Sequence, residues 1–146
     1  MKIRLAKLGD ETGIFNLICD LATYELAPEQ VTNTAQNLAK DLFEDKICDA
    51  LVAEVDNHIV GFALWYTSYS TWKGRCLYLE DFYVLHEFRS LKIGSKLFDE
   101  VVEIAKKQGV KRMDWQVLEW NELALDFYKR KNAVLDAEWV NGRLFF

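Results

Sequence analysis

The 146 residues predict a single mixed α/β domain, residues 1–146, built on one central β-sheet flanked by helices. Three observations carry this. Apolar residues recur at helical spacing in four stretches, while alternating or continuous apolar runs bounded by turn residues mark strands between them. The length suffices for one core and is short for two. There is no repeat, no low-complexity tract and no Gly/Ser-rich linker, and Pro28 is the only proline.

In chain order, Ile3 and Leu5 alternate with Lys2 and Arg4 and predict a first strand. Asp10 stands as N-cap before a helical stripe of Ile14, Phe15, Leu17, Ile18 and Leu21. Pro28 breaks the chain, and a second helix starts near Thr32 or Thr34 to bury Leu38, Leu42 and Phe43. The segments ALVAEV and HIVGFALWYTSY flank Asp56-Asn57, so residues 50–69 read as a hairpin. TWKGR forms its far loop and leads into the strand CLYLEDFYVL. A helix from about Ile93 to Gln108 turns Leu97, Val101, Ile104 and Ala105 inward and stops at Gly109. KRMDWQVL is a further strand. NELALDFYKRK is a short helix capped by Asn121 and ended by Asn132 in the left-handed conformation. AVLDAEW and GRLFF close the chain as a hairpin.

Hydrophobic residues make up 51% of the chain and charged residues 28%, a globular rather than disordered balance. The net charge of −5 argues against nucleic-acid binding through a general basic surface, and it suits a small cationic partner. Cys19, Cys48 and Cys76 are widely spaced, and with only His58 and His86 beside them no zinc-ligand spacing arises. The expectation is reduced thiols and no metal. MKIRLAKLGD has no signal-like apolar stretch, and no apolar run approaches the roughly 18 residues that span a membrane. A cytoplasmic protein without a membrane partner is expected.

Four stretches bear on chemistry. The turn Arg89-Ser90-Leu91-Lys92-Ile93-Gly94-Ser95 puts two cations, a glycine and a serine at a helix start, where backbone amides and the helix dipole favour an anion. Spacing alone supports a solvated turn and a phosphate cradle equally, and the glycines are too few for a dinucleotide fingerprint or a P-loop. Glu80 and Asp81 are adjacent acids in an apolar strand. Strand neighbours point to opposite faces, so at least one carboxylate faces inward or into a cleft and needs a partner or a proton; an edge-strand acid is the alternative. Tyr128, beside Leu125 and Phe127, reads by spacing as core, and Tyr24, Glu25 and Glu29 in TYELAPEQV read as a solvated loop.

YLEDFYVLHEFRSLKIGSKL, followed by EWNELALDFYKRKNA, resembles the GNAT superfamily of N-acetyltransferases, and within it the diamine (spermidine/spermine) and thialysine acetyltransferases. The likeness extends from ATYELAPEQV through LVAEVDNHIVGFALWY to GRLFF; YLEDFYV and WN-x5-FYKR are its specific parts. It implies the superfamily's mixed central sheet and transfer of acetyl from acetyl-CoA to a primary amine of a small cationic acceptor by direct attack. By the same resemblance Tyr128 is the general acid for the departing thiolate, Glu80 takes the ammonium proton, and Asp81 holds the cation. Arg89, Lys92, Ile93, Gly94 and Ser95 hold the pyrophosphate, with Lys92 in the first glycine place of the Arg/Gln-x-x-Gly-x-Gly/Ala pattern. Asn121 and Arg130 assist with the cofactor, and a strand amide near Val84 polarises the acetyl carbonyl. Tyr24, Glu25, Glu29 and Trp139 line an acidic acceptor channel. The resemblance also implies a homodimer. Acetylation of peptide or protein amines, which an open acceptor groove would favour, and a non-catalytic acyl-CoA or polyamine sensor remain the alternatives.

Overall fold

The computed structural model describes residues 1–146, the side chain of Ser90 excepted. The chain forms two compact units, Met1–Trp115 and Gln116–Phe146.

The first unit opens with β1 (Lys2–Leu5) and α1 (Glu11–Tyr24), followed by a 3₁₀ turn at Pro28–Gln30. Next come α2 (Ala35–Ala39), continued by a π turn at Lys40–Glu44, and β2 (Asp49–Val55), β3 (His58–Ser70) and β4 (Gly74–Val84). A 3₁₀ turn (His86–Leu91), α3 (Ile93–Lys107) and β5 (Met113–Asp114) complete it. The sheet runs β1-β2-β3-β4-β5, antiparallel throughout except for β5, which lies parallel to β4 because α3 makes the crossover between them. Between β2 and β3 the chain turns on Asp56 (φ 48°) and Asn57 (φ 62°), the left-handed pair a two-residue hairpin demands.

Both faces of the sheet are covered. Ala50, Val52, Phe62 and Leu64 pack with Ile14 and Leu17 of α1 and Leu38 and Leu42 beyond it. The alternate residues face α3, where Phe82 meets Phe98 edge to face and Ile93, Leu97 and Val101 are buried. Burial on both faces explains why Val60–Trp65 is continuously apolar rather than alternating. Thr34 caps α2, accepting the Asn37 N–H at 3.1 Å.

Three expectations need correction. In β1 the polar and apolar positions do not separate: Ile3 and Arg4 are both half-buried, while Leu5 is exposed. Arg4 donates to Asp10 at 2.6 and 3.0 Å and to Glu54 at 2.7 Å. Asp10 is the N-cap residue of α1, as expected, but its side chain makes no cap bond: its carboxylate takes the guanidinium and the Lys7 N–H, since a cation is a stronger donor than an orphan helix amide. Arg4 holds that carboxyl below its ordinary range despite its burial. In KRMDWQVL only Met113 and Asp114 pair with β4, opposite Leu77 and Tyr78.

The second unit contains α4 (Glu122–Arg130), whose first turn is capped by Asn121 Oδ1 accepting the Ala124 N–H at 3.2 Å. Asn132 (φ 60°) ends it, and the Ala133 N–H closes back on the Tyr128 carbonyl at 3.1 Å. The expected terminal hairpin does not form. Within AVLDAEW the Asp136 side chain accepts the Glu138 N–H at 2.8 Å, a local turn that competes with strand pairing.

Candidate active site

β4 carries the acceptor side. Leu64 pairs with Asp81 while Trp65 pairs with Leu79, so Glu80 is the extra residue of a β-bulge. Asp81 shares the face of Leu64, towards α1, and Glu80 is exposed. Burial pushes the Asp81 carboxyl up to about 7, and the negative charges of Glu80 and Glu25 push the same way. Glu25 is the C-cap of α1; it is exposed, and partial desolvation raises its carboxyl. The reading that one of the adjacent acids faces inward is met by Asp81. Its ionisation therefore falls near neutrality, where a positive ligand can tip it.

Tyr66 and Tyr78 stand opposite each other and stack, ring centroids 5.3 Å apart. Burial, with Glu80 second, raises the Tyr66 phenol. Sequence reading passed over this pair. The signal that finds it is the strand register, which becomes legible only when the bulge at Glu80 is placed.

On the other side of β4 lies the start of α3. Lys92 is its N-cap residue, left-handed at φ 57° and ψ 19°, and supplies no side-chain cap. The first amides of a helix have no intrahelical carbonyl and carry the positive end of its dipole, so Ile93, Gly94 and Ser95 present an anion-binding turn. Ser95 Oγ donates to Asp99 at 3.4 Å. A Cβ on Gly94 would lie 3.6 Å from Phe82 and 3.8 Å from Val84, ordinary contact. Protein packing therefore does not demand the glycine, and its effect is to leave the turn low for an approaching ligand. β5 pairing stops at Tyr78, so among the described residues no strand pairs with Leu79–Val84 on the side away from β3. A strand edge without a paired strand, ending beside a helix start, offers peptide groups and an anion-binding turn in sequence, the complement of a ligand with a peptide-like arm and a phosphate end.

A lysine in the left-handed region costs about 1 kcal/mol more than a glycine there. Lys92→Gly is accordingly expected to stabilise the protein by about that amount. Denaturant unfolding of the two proteins measures this directly.

Arg89 also has partners within the protein. Its Nε donates to the Val84 carbonyl at 3.0 Å, and its guanidinium lies over the rings of Tyr24 (5.0 Å) and Tyr83 (5.4 Å). Much of its bonding capacity thus goes to protein groups. Glu29 is exposed in the 3₁₀ turn after α1.

The remaining predicted residues belong to the second unit. Tyr128 is buried, with its ring 5.4 Å from that of Phe127, and Asn121 is the α4 cap. Arg130 and Trp139 are exposed. Among the described residues no helix is long and apolar enough to cross a membrane, and no group of three or more His, Cys, Asp or Glu is placed to hold a metal.

The model of the GNAT acetyltransferase family matches residues 13–132, which reach across both units, and the chain belongs to that family. A thialysine N-epsilon-acetyltransferase of Bos taurus is 43% identical over 140 residues, covering 90% of this chain and 82% of its own. One from Caenorhabditis elegans is 35% identical over 79% of this chain and 71% of its own. The human spermidine/spermine N(1)-acetyltransferase-like protein 1 is 34% identical over 91% of this chain and 20% of its own. In fold, the chain matches a crystal structure of an aminoglycoside acetyltransferase from a soil metagenomic sample with a TM-score of 0.81 at 20% identity, covering 99% of this chain and 95% of the other.

Proposed function

We propose that this acetyltransferase moves an acetyl group from acetyl-CoA to a primary amine of a small cationic acceptor, a thialysine-like amino acid or a di- or polyamine. One observation carries the reading. On β4, the near-neutral carboxyl of Asp81 and the bulged Glu80 stand within five residues of Val84, which adjoins Gly94 at the open start of α3. A cation site and an anion cradle therefore share one strand. The relatives that act by name on thialysine, and the one named for spermidine and spermine, support the acceptor class.

Acetyl-CoA supplies the activated acetyl thioester. The α3 amides of Ile93, Gly94 and Ser95 hold its pyrophosphate, with Lys92 and the remaining Arg89 N–H groups adding charge. Asn121 and Arg130 assist, and the Val84 amide polarises the acetyl carbonyl. An alkylammonium has no lone pair, so it must lose a proton before attacking. Asp81 and Glu25 hold the cation, Glu80 passes its proton to solvent, and Tyr24, Glu29 and Trp139 line the approach. Tyr128 protonates the departing thiolate, a task a phenol suits because it stays protonated at neutral pH. The resemblance further supports one acetyltransferase domain working as a cytoplasmic homodimer, without metal, nucleic acid or membrane.

Ser95→Glu tests the cradle. An acid in the first turn favours the helix but repels a phosphate. With the dipole gain set against the like charge of Asp99 four residues on, the variant is expected to match wild type in stability within about 1 kcal/mol while its Kd for CoA, measured by calorimetry, rises at least about tenfold. Unchanged CoA affinity would reduce the turn to an ordinary basic surface.

A further inference from the structure

α1 ends in an unusual way. It has no basic residue in its last turn to offset the negative end of its dipole. Immediately after it, Leu26 sits at φ 62°, a left-handed conformation that a γ-branched side chain adopts only when its surroundings hold it. The chain there closes on itself, with the Leu26 N–H on Thr23 at 3.1 Å and the Ala27 N–H on Ala22 at 2.9 Å. Inside both of these closures stands Glu25, one of the acids acting on Asp81.

The missing cation comes from elsewhere in the fold. Arg89, in the turn before α3, lays its guanidinium over the ring of Tyr24, the last residue of α1, and over Tyr83 of β4. Its Nε is fixed to the carbonyl of Val84 at the end of the same strand. The two elements that Arg89 ties together are thus the two that carry the acid pair: Glu25 from α1 and Asp81 from β4. A planar guanidinium can brace one ring with its face while its edge donates to a carbonyl, whereas a lysine ammonium cannot do both.

We infer that Arg89 is a positioning residue for the amine acceptor: by bracing Tyr24 against the end of β4 it fixes the spacing of Glu25 and Asp81, and so governs which cationic amines the pair holds. This rests on the acceptor site proposed above. It also alters what Tyr24 does, since a ring covered by Arg89 acts by holding the strained α1 terminus in place. The turn that faces the cofactor and the loop that faces the acceptor then share one side chain.

The test compares Tyr24→Leu, Tyr24→Phe, Arg89→Met and Arg89→Lys with wild type, using thialysine and spermidine as probes and thermal unfolding as a check that each variant is folded. Amine binding is read by calorimetry without cofactor, the amine KM by thiol release from acetyl-CoA, and CoA binding by separate calorimetry. Tyr24→Leu and Arg89→Met are expected to weaken amine binding and raise the amine KM about tenfold, and Tyr24→Leu, which keeps the Arg89 guanidinium, should leave the CoA Kd within about twofold. Tyr24→Phe, which keeps the ring face, should recover most of the loss, and Arg89→Lys should not. A raised CoA Kd in Arg89→Met with unaltered amine binding would overturn the inference and return Arg89 to the pyrophosphate. Failure of wild type to bind either amine would overturn it as well. Amine binding that depends on Tyr24 and Arg89 in a protein that releases no thiol would support the inference and sink the enzymatic reading alone.

Discussion

Replacing Tyr128 by phenylalanine is expected to lower kcat by ~10²–10⁴-fold, the usual range for loss of a positioned proton donor. The substitution removes one hydroxyl and keeps the ring. Tyr128 is buried, and its backbone carbonyl accepts the Lys131 and Ala133 N–H groups that end α4, bonds that the side-chain change leaves alone. Stability and CoA affinity should therefore stay close to wild type, so that the loss appears in turnover. A thiolate leaving unprotonated is a poor leaving group when the attacking amine competes to return. Steady-state thiol release over a range of acetyl-CoA and amine concentrations separates kcat from KM. A loss below about threefold would show that the phenol donates no proton in the slow step.

The second large effect concerns Asp81. Its folded-state carboxyl titrates at about 7 against an ordinary 3.8, with burial the leading cause and Glu80 and Glu25 behind it. Between those two values the folded protein binds more protons than the unfolded chain. Stability contributed by this group is therefore fully present below 3.8 and is lost as pH rises to about 7. Glu25, raised by partial desolvation, acts in the same direction. Asp81→Asn removes the titration. Denaturant unfolding at about pH 5 and about pH 8.5 should show the variant gaining on wild type at the higher value. The same variant should bind a diamine or thialysine some 10–100-fold more weakly at the higher pH, because it lacks the charge that meets the ammonium. Wild-type amine affinity should rise through about pH 7, and that rise should disappear in the variant. A protein more stable but less able to bind its acceptor is the signature of an acid kept for function at a cost in stability. Equal stability at both pH values would place Asp81 in ordinary solvent.

Much of this was legible in the residues, for identifiable reasons. Helical stripes with strong caps, such as Thr34 before Leu38 and Asn121 before Leu125, mark where helices begin, because the cap and the apolar period agree. The Asp56-Asn57 turn fixes the β2–β3 hairpin through two residues that tolerate positive φ. What escaped was decided by partners distant in sequence. Asp10 stands where a cap should, yet Arg4 claims its carboxylate, and Arg4 is held there by Glu54, 50 positions further on from it. AVLDAEW has the composition of a strand, and an aspartate side chain turns it locally instead. Two acids in a row signal one inward carboxylate but not which; the bulge at Glu80 chooses Asp81. Arg89 fits a phosphate motif, and only the packing of Tyr24 and Tyr83 around it reveals a second use.

The most direct test is thiol release from acetyl-CoA by the purified protein with thialysine, spermidine, putrescine, lysine and a short lysine peptide, each product being checked by mass spectrometry for one added acetyl group. The account predicts turnover with one or more of the small cationic amines, little with the peptide, and loss of that turnover in Tyr128→Phe. Acetylation of the peptide in preference to every small amine, or CoA binding with no acetyl transfer to any of them, would contradict it.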